Sequence, residues 1–240
     1  ILRVDPHDAQ SIGDAVRLMN RTTLAGAVVI SPSDPVLERL HLDRLKVPYV
    51  VEAESVLSPG DDRALEHPFA AVVAHLADLG HEHFFHVGGP PTWLAARNRR
   101  SAYREVLARR GLHNCGETAG DWGAAAGYEA MASYPLEEAP TAIVAASDQF
   151  ALGVLFWLAE HGVRVPDDVS VTGYDGIVDA AYYWPPLTTV AADFARMGRN
   201  TVLELLAHPG TGERQDLGLP VGRLVPRAST GRPGAGFNRA

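Results

Sequence analysis

PTAIVAASDQFALGVLFWLAEHGVRVPDDVSVTGYDG, residues 140–176, followed by YYWPPLTTVAADF, residues 182–194, decides the fold. The unbroken apolar run 142–146 predicts a buried strand, Ser147 and Asp148 stand at its carboxyl end, and residues 150–161 carry the apolar spacing of a helix. The design then repeats: 169–172 is a second strand, and Gly173-Tyr174-Asp175-Gly176 is the loop at its carboxyl end. Ligands of open parallel sheets bind beyond the carboxyl ends of the strands, so Ser147 and Asp175 are expected to face one crevice.

Working outward, the same alternation continues. Upstream, residues 1–4, 27–30 and 49–51 read as strands, with helices over 8–21, capped by Asp8, and over 35–45. The Pro-, Gly- and Asp-rich stretch 57–63 interrupts the pattern and reads as a connection to a second lobe. Beyond it come helix 68–79 stopped by Gly80, strand 84–87 running into Gly88-Gly89-Pro90-Pro91, helix 93–110, a strand near Glu117 and helix 124–134. After Pro185-Pro186, strand 187–190 precedes an amphipathic helix over 194–206, and a Gly-rich loop leads to 221–225. Strand–helix alternation of this kind implies an α/β protein, each lobe a parallel sheet with helices on both faces.

Composition narrows the function. The chain has 240 residues, 46% of them hydrophobic, and a net charge of −8, which gives this segment no electrostatic reason to bind DNA itself. The basic run Arg97-Asn98-Arg99-Arg100 with Arg104, Arg109 and Arg110 spreads round a helix and reads mainly as a solvated face, with one or two arginines turned inward. Cys115 is the single cysteine, so there is no internal disulfide and no thiol pair for metal or redox work; a reducing cytoplasm is the simpler compartment. No apolar run approaches the roughly 18 residues of a membrane helix, and no signal peptide opens the sequence.

Enzyme chemistry finds no carrier. Gly-x-Ser-x-Gly, Gly-x-x-x-x-Gly-Lys and Gly-x-Gly-x-x-Gly sequences are absent, and no cofactor is called for. His81-Glu82-His83-Phe84-Phe85-His86 reads as a strand entry with exposed histidines rather than a metal site, because neither helical spacing nor a cysteine supports ligation. Asp148, immediately before a helix, reads as an N-cap rather than a catalytic acid.

The segments S-D-Q-F-A-L-G, D-V-S-V-T-G-Y-D and P-P-L-T-T-V-x-x-D-F, with Gly80-His81, Gly88-Gly89-Pro90, Arg97-Asn98-Arg99 and Gly120-Asp121-Trp122 in order upstream, resemble the effector-binding core of LacI/GalR-type bacterial transcription regulators. The resemblance runs to about Pro233 and implies a two-lobed, periplasmic-binding-protein-like fold with three crossovers. They would fall near Arg63, Asp193 and Pro220. One lobe would hold residues 1–63 and 194–220, the other 64–193 and 221–229, with 230–240 a flexible tail. The family also has a strand and helix ahead of the residue that opens this chain, and a helix-turn-helix further upstream. Neither is in the sequence, so the natural polypeptide is expected to continue before Ile1.

What the resemblance implies for function is a cytoplasmic, non-enzymatic homodimer that binds a sugar or sugar derivative between its lobes and reaches DNA only through the upstream module. Arg99 matches the family arginine that binds effector hydroxyls, Asp175 the acceptor carboxylate, and Trp122 an aromatic wall. Phe194 is either a second wall or a cover over the hinge. Ser147 stands where the family most often has asparagine. Arg97, Glu52 and Trp93 are further candidates. The apolar stretch 154–158 and Tyr182-Tyr183-Trp184 are the residues that a dimer contact or the core would use. The alternative is an extracytoplasmic sugar-binding protein of a transporter, which shares the fold and would need a similar pocket.

Overall fold

A computed structural model describes residues 4–5, 8–21, 23–30, 33–42, 45–133, 139–207, 214–216 and 218–234. The first elements are α1 (Ala9–Arg21), β1 (Ala27–Ile30), α2 (Asp34–Leu40), β2 (Tyr49–Ala53), α3 (Pro68–Asp78), β3 (His83–Gly88) and α4 (Leu94–Arg110). They are followed by β4 (His113–Ala119), α5 (Ala124–Ser133), β5 (Ala142–Ala145), α6 (Asp148–Glu160), β6 (Ser170–Thr172), β7 (Thr189–Ala192), α7 (Phe194–Ala207), β8 (Arg214–Asp216) and β9 (Gly222–Val225). The expected strand over 1–4 lies largely outside the described residues.

The chain divides into two compact units: residues 1–56, 92–95 and 194–219 form the first, and residues 57–91, 96–193 and 220–240 the second. Residues 92–95, which the sequence reading put in the second lobe, are held in the first unit. A bridge between Ser33 and Trp93 and the Asp34 N–H on the Thr92 carbonyl bind them there.

In the first unit, β1, β2 and β8 form a parallel sheet in that order. Ile12 of α1 packs with Val36 and Leu40 of α2, and Asp8 caps α1 by accepting the Gln10 N–H at 2.8 Å. The second helix is shorter than its apolar pattern suggested. It stops at Leu40 because His41 turns left-handed, with φ 43° and ψ 55°. Sequence pattern missed β8 altogether: Arg214-Gln215-Asp216 has no apolar residue to signal a strand.

The second unit is built on a four-stranded parallel sheet of order β4-β3-β5-β6. Because side chains alternate across a strand, the apolar runs of β3 and β5 serve two cores at once. Phe84, Ala142 and Val144 pack under α3 and α4, while Phe85, Val87, Ile143 and Ala145 pack under α5 and α6. Each fully buried phenylalanine contributes about 2 kcal/mol by leaving water. Helices α5 and α6 touch backbone to backbone, and Gly153 permits this, since a Cβ there would overlap the Ala124 carbonyl and lie 2.6 Å from the Tyr128 nitrogen.

Beside this sheet, β7 and β9 pair antiparallel, two residues further along than the expected 187–190 strand begins. The expected flexible tail is corrected for its described part, 230–234. His75 and Thr188 both bond the Thr230 hydroxyl at 3.0 Å, and Gly231 donates to Ser170 and accepts from His81. Just before it, Ser229 is fully buried, and its hydroxyl donates to the Val171 carbonyl at 2.6 Å. Hydrogen bonds to groups already buried outweigh the Gly- and Pro-rich composition there.

Candidate functional site

Four strand-to-helix turns of the second unit deliver the site. Arg99 sits on α4, in the second turn after the loop that follows β3; Trp122 follows β4; Ser147 follows β5; Asp175 follows β6. All four emerge at the carboxyl ends of one parallel sheet, the edge where such sheets collect ligands.

Arg99 is the centre of the arrangement. It is only 9% exposed, and Nη1 donates to the Ala146 carbonyl at 2.6 Å while Nη2 faces Asp175 Oδ1 at 3.3 Å. The guanidinium lies over the Tyr174 ring at 4.1 Å and within 5.5 Å of the Trp122 ring centre. A planar cation fixed by a carbonyl, a carboxylate and two aromatic faces is held in one orientation. Among the described residues its buried Nε has no hydrogen-bond partner.

Asp175 is positioned at the cost of backbone strain. It is a non-glycine residue with φ 108°, and its N–H and C=O are taken by Val190 and Ala192. The segment 175–177 is fixed from below by Asp148, whose Oδ1 accepts the Thr189 hydroxyl at 2.5 Å and whose Oδ2 accepts the Ile177 N–H at 2.8 Å. Asp148 is therefore not the N-cap expected from sequence. That role belongs to Ser147, whose hydroxyl oxygen accepts the Phe150 N–H at 3.2 Å. Burial pushes the Asp148 carboxyl up to about 6, and the nearby Asp175 charge adds to the shift.

Trp122 is seated by a close approach. Its ring stacks beside Phe150 at 5.4 Å, and a Cβ at Gly89 would lie 2.6 Å from its indole edge. Only glycine leaves that space, which explains the Gly88-Gly89 turn at the end of β3. Tyr174, the ring nearest the guanidinium, was not singled out from sequence, although it adjoins Asp175 in the same loop. Arg97 points back along its own unit, donating to the Pro91 carbonyl at 2.7 Å.

The structure thus brings Arg99, Asp175, Trp122 and Ser147 to one sheet edge. The other three candidates belong to the first unit. Glu52 lies near the end of β2 between Ile30 and Gln215, Trp93 bridges Ser33, and Phe194 opens α7 with 56% of its surface exposed.

The histidine stretch departs from expectation. His81 and His86 are buried at 1% and 0% exposure. His86 Nδ1 bonds the Val144 carbonyl at 2.8 Å and its ring stacks on Tyr103 at 4.9 Å, so burial pulls its pKa down to about 4. Facing two cores at once, a strand centre buries whatever residue occupies it.

Fold and site together define a periplasmic-binding-protein-like α/β domain. The periplasmic binding protein-like domain family matches residues 73–230, and the chain belongs to this family, in the group of LacI/GalR regulators. It is 39% identical over 160 residues to the lactose operon repressor of Klebsiella pneumoniae, a match covering 66% of this chain and 45% of the repressor. It is 31% identical over 171 residues to the transcriptional repressor PurR of Mannheimia succiniciproducens, covering 68% and 51%. The chain thus spans about half the length of the repressors it matches. A LacI family regulator from Mycobacterium smegmatis superposes with a TM-score of 0.79 at 26% identity, over 96% of this chain and 86% of that one. The transcriptional regulator CelR in its cellobiose complex gives 0.78 at 25% identity, over 92% and 71%. These relatives are named as repressors or transcription regulators. No helix among the described residues is long and apolar enough to cross a membrane.

Proposed function

We propose that the chain is the effector-sensing core of a cytoplasmic LacI-type repressor, binding a sugar-like metabolite between two lobes and performing no catalysis. The observation that carries this reading is the clamped Arg99. A guanidinium held rigid by Asp175, Ala146 and two aromatic rings keeps the second N–H of Nη1 and of Nη2 to offer without the entropy loss of a free arginine, which suits vicinal hydroxyls. Asp175 supplies the acceptor and Trp122 the apolar wall for a sugar face. Ser147, with one lone pair on the Phe150 N–H, keeps its hydroxyl proton to donate. Glu52, Trp93, Arg97 and Phe194 are further proposed effector contacts, and CelR, solved as a cellobiose complex, is a precedent for the ligand class.

Ligand would shift the population of lobe arrangements, and in the longer protein that shift would change the separation of two DNA-reading modules across a dimer. The second unit offers a surface for the second copy. Trp184, Tyr182 and Val178 are 91%, 83% and 81% exposed, with Phe156 and Leu152 on α6 also outward. The face 154–158 is not that surface as a whole, since Val154, Leu155, Trp157 and Leu158 are core.

A thermal-shift screen of mono- and disaccharides, sugar phosphates and nucleosides tests the reading. A ligand at 100 times its Kd stabilises the native state by about 2.7 kcal/mol. The expected result is one chemical class that raises the melting temperature of the wild type and fails with Arg99→Ala and with Asp175→Asn. Stabilisation that survives both substitutions would place the ligand elsewhere and overturn the assignment.

A further inference from the structure

At the opposite end of the same sheet, the amino ends of β3 and β4 carry a cluster that the effector reading does not use. His83 and His113 are register partners on these parallel strands, with ring centres 5.3 Å apart, and Cys115 follows two residues later. One ligand atom from each of His83, His113 and Cys115 can be chosen so that all three lie within 4.8 Å of one another. We propose that these three side chains form a binding site for a borderline-soft divalent transition metal, Zn²⁺ in the first instance.

The chemistry of the set points to that class of ion. Two imidazoles and one thiolate are ligands zinc takes readily, whereas calcium and magnesium need oxygen. Tetrahedral Zn²⁺ with Zn–N about 2.0 Å and Zn–S about 2.3 Å places neighbouring ligand atoms roughly 3.5 Å apart. Rotations of surface side chains on a fixed backbone cover the remaining distance. His113 is exposed, which leaves a fourth position for water.

The backbone under the cluster is shaped for it. Phe84 pairs with Asn114 and Phe85 with Gly116, so the register shifts at Cys115, which stands as the extra residue of a bulge. Bulges re-aim a side chain, and this one is pinned. Asn114 Oδ1 accepts from the Gly116 N–H at 3.1 Å and from the Tyr103 hydroxyl at 2.9 Å, while Asn114 Nδ2 donates to Glu117 at 2.9 Å. The neighbouring strand is fixed as well, since the His113 N–H donates to Glu82 at 2.8 Å and the Thr141 N–H to the His83 carbonyl at 3.0 Å. Because β4 is an edge strand, an ion bridging it to β3 would staple the less supported border of the sheet.

Titration of the chain with Co²⁺ and Zn²⁺ decides the matter. One equivalent of Co²⁺ is expected to give a thiolate-to-cobalt charge-transfer band in the near ultraviolet that Zn²⁺ displaces, and Zn²⁺ is expected to slow modification of Cys115 by a thiol reagent. Removing an outer-shell partner weakens metal sites about 10- to 100-fold, so loss of a direct ligand in His83→Gln or His113→Gln should cost at least that much. Cys115→Ser should abolish the charge-transfer band. Absence of that band in the folded wild type, or equal Zn²⁺ affinity in wild type and Cys115→Ser, overturns the proposal. Either of those results would leave any bound ion to the chain's other histidines.

Discussion

Asp148 gives the sharpest physical test of how the second unit holds its loop. Its carboxyl is displaced from an ordinary 3.8 to about 6, chiefly by burial. The native state therefore holds this proton more tightly than the unfolded chain does. Stability contributed by the group is greatest below about pH 4 and is lost as the pH rises to about 6. Such a displacement corresponds to about 3 kcal/mol over the whole range, of which about 2 kcal/mol falls between pH 4 and pH 7. Other groups, such as the buried His86, titrate in the opposite sense, so the wild-type profile alone is composite. Comparison with Asp148→Asn isolates the effect, because the variant cannot ionise and its lost acceptor for the Ile177 N–H is a cost that does not vary with pH. Urea unfolding of both proteins at half-unit steps should show the wild type losing about 2 kcal/mol relative to the variant across that interval. A flat difference would mean that Asp148 titrates as an ordinary surface carboxyl and that its burial carries no charge penalty.

Three further outcomes are expected. Gly153→Ala should destabilise by about 2–3 kcal/mol in denaturant unfolding, because the new methyl forces α5 away from α6; near-neutrality would refute the backbone contact. The His86 imidazole should stay neutral to about pH 4 in an NMR titration. Unfolded histidine takes its proton near 6.5, so the stability of the neutral buried ring is lost as the pH falls through that window, and a midpoint near 6.5 in the native protein would contradict the burial. Trp184→Glu should weaken self-association at least 10-fold in sedimentation equilibrium while leaving the unfolding midpoint unchanged at protein concentrations too low for dimer, whereas a persistent dimer would move the interface elsewhere.

Legibility followed the range of the forces involved. Strands β3, β5 and β6 were readable because residues packed on both faces leave unbroken apolar runs, and α6 because its period is set locally. Asp175 and Ser147 were placed correctly at strand ends by the same local logic. What stayed hidden depends on partners distant in sequence. Arg97, Arg99 and Arg100 are interchangeable in a one-dimensional pattern, so Arg99 was singled out only through the family resemblance, and what holds it, the Ala146 carbonyl 47 residues on, could not be read. Asp148 looked like a cap because Thr189, 41 residues away, is invisible to a local reading. The approach of Cys115 to His83 required a strand pairing and a bulge, and β8 is polar throughout.

Neither compact unit is a continuous run of chain, and the second is completed only by residues 220–234. Synthesis proceeds from the amino terminus at about 5–20 residues per second, so the sheet edge at β6 must wait, unfinished, for Ser229 to leave the ribosome. A premature stop codon near residue 225 would thus not trim a loose end. It would release a protein whose Val171 N–H and C=O lack their partners, a substrate for proteases rather than a finished domain.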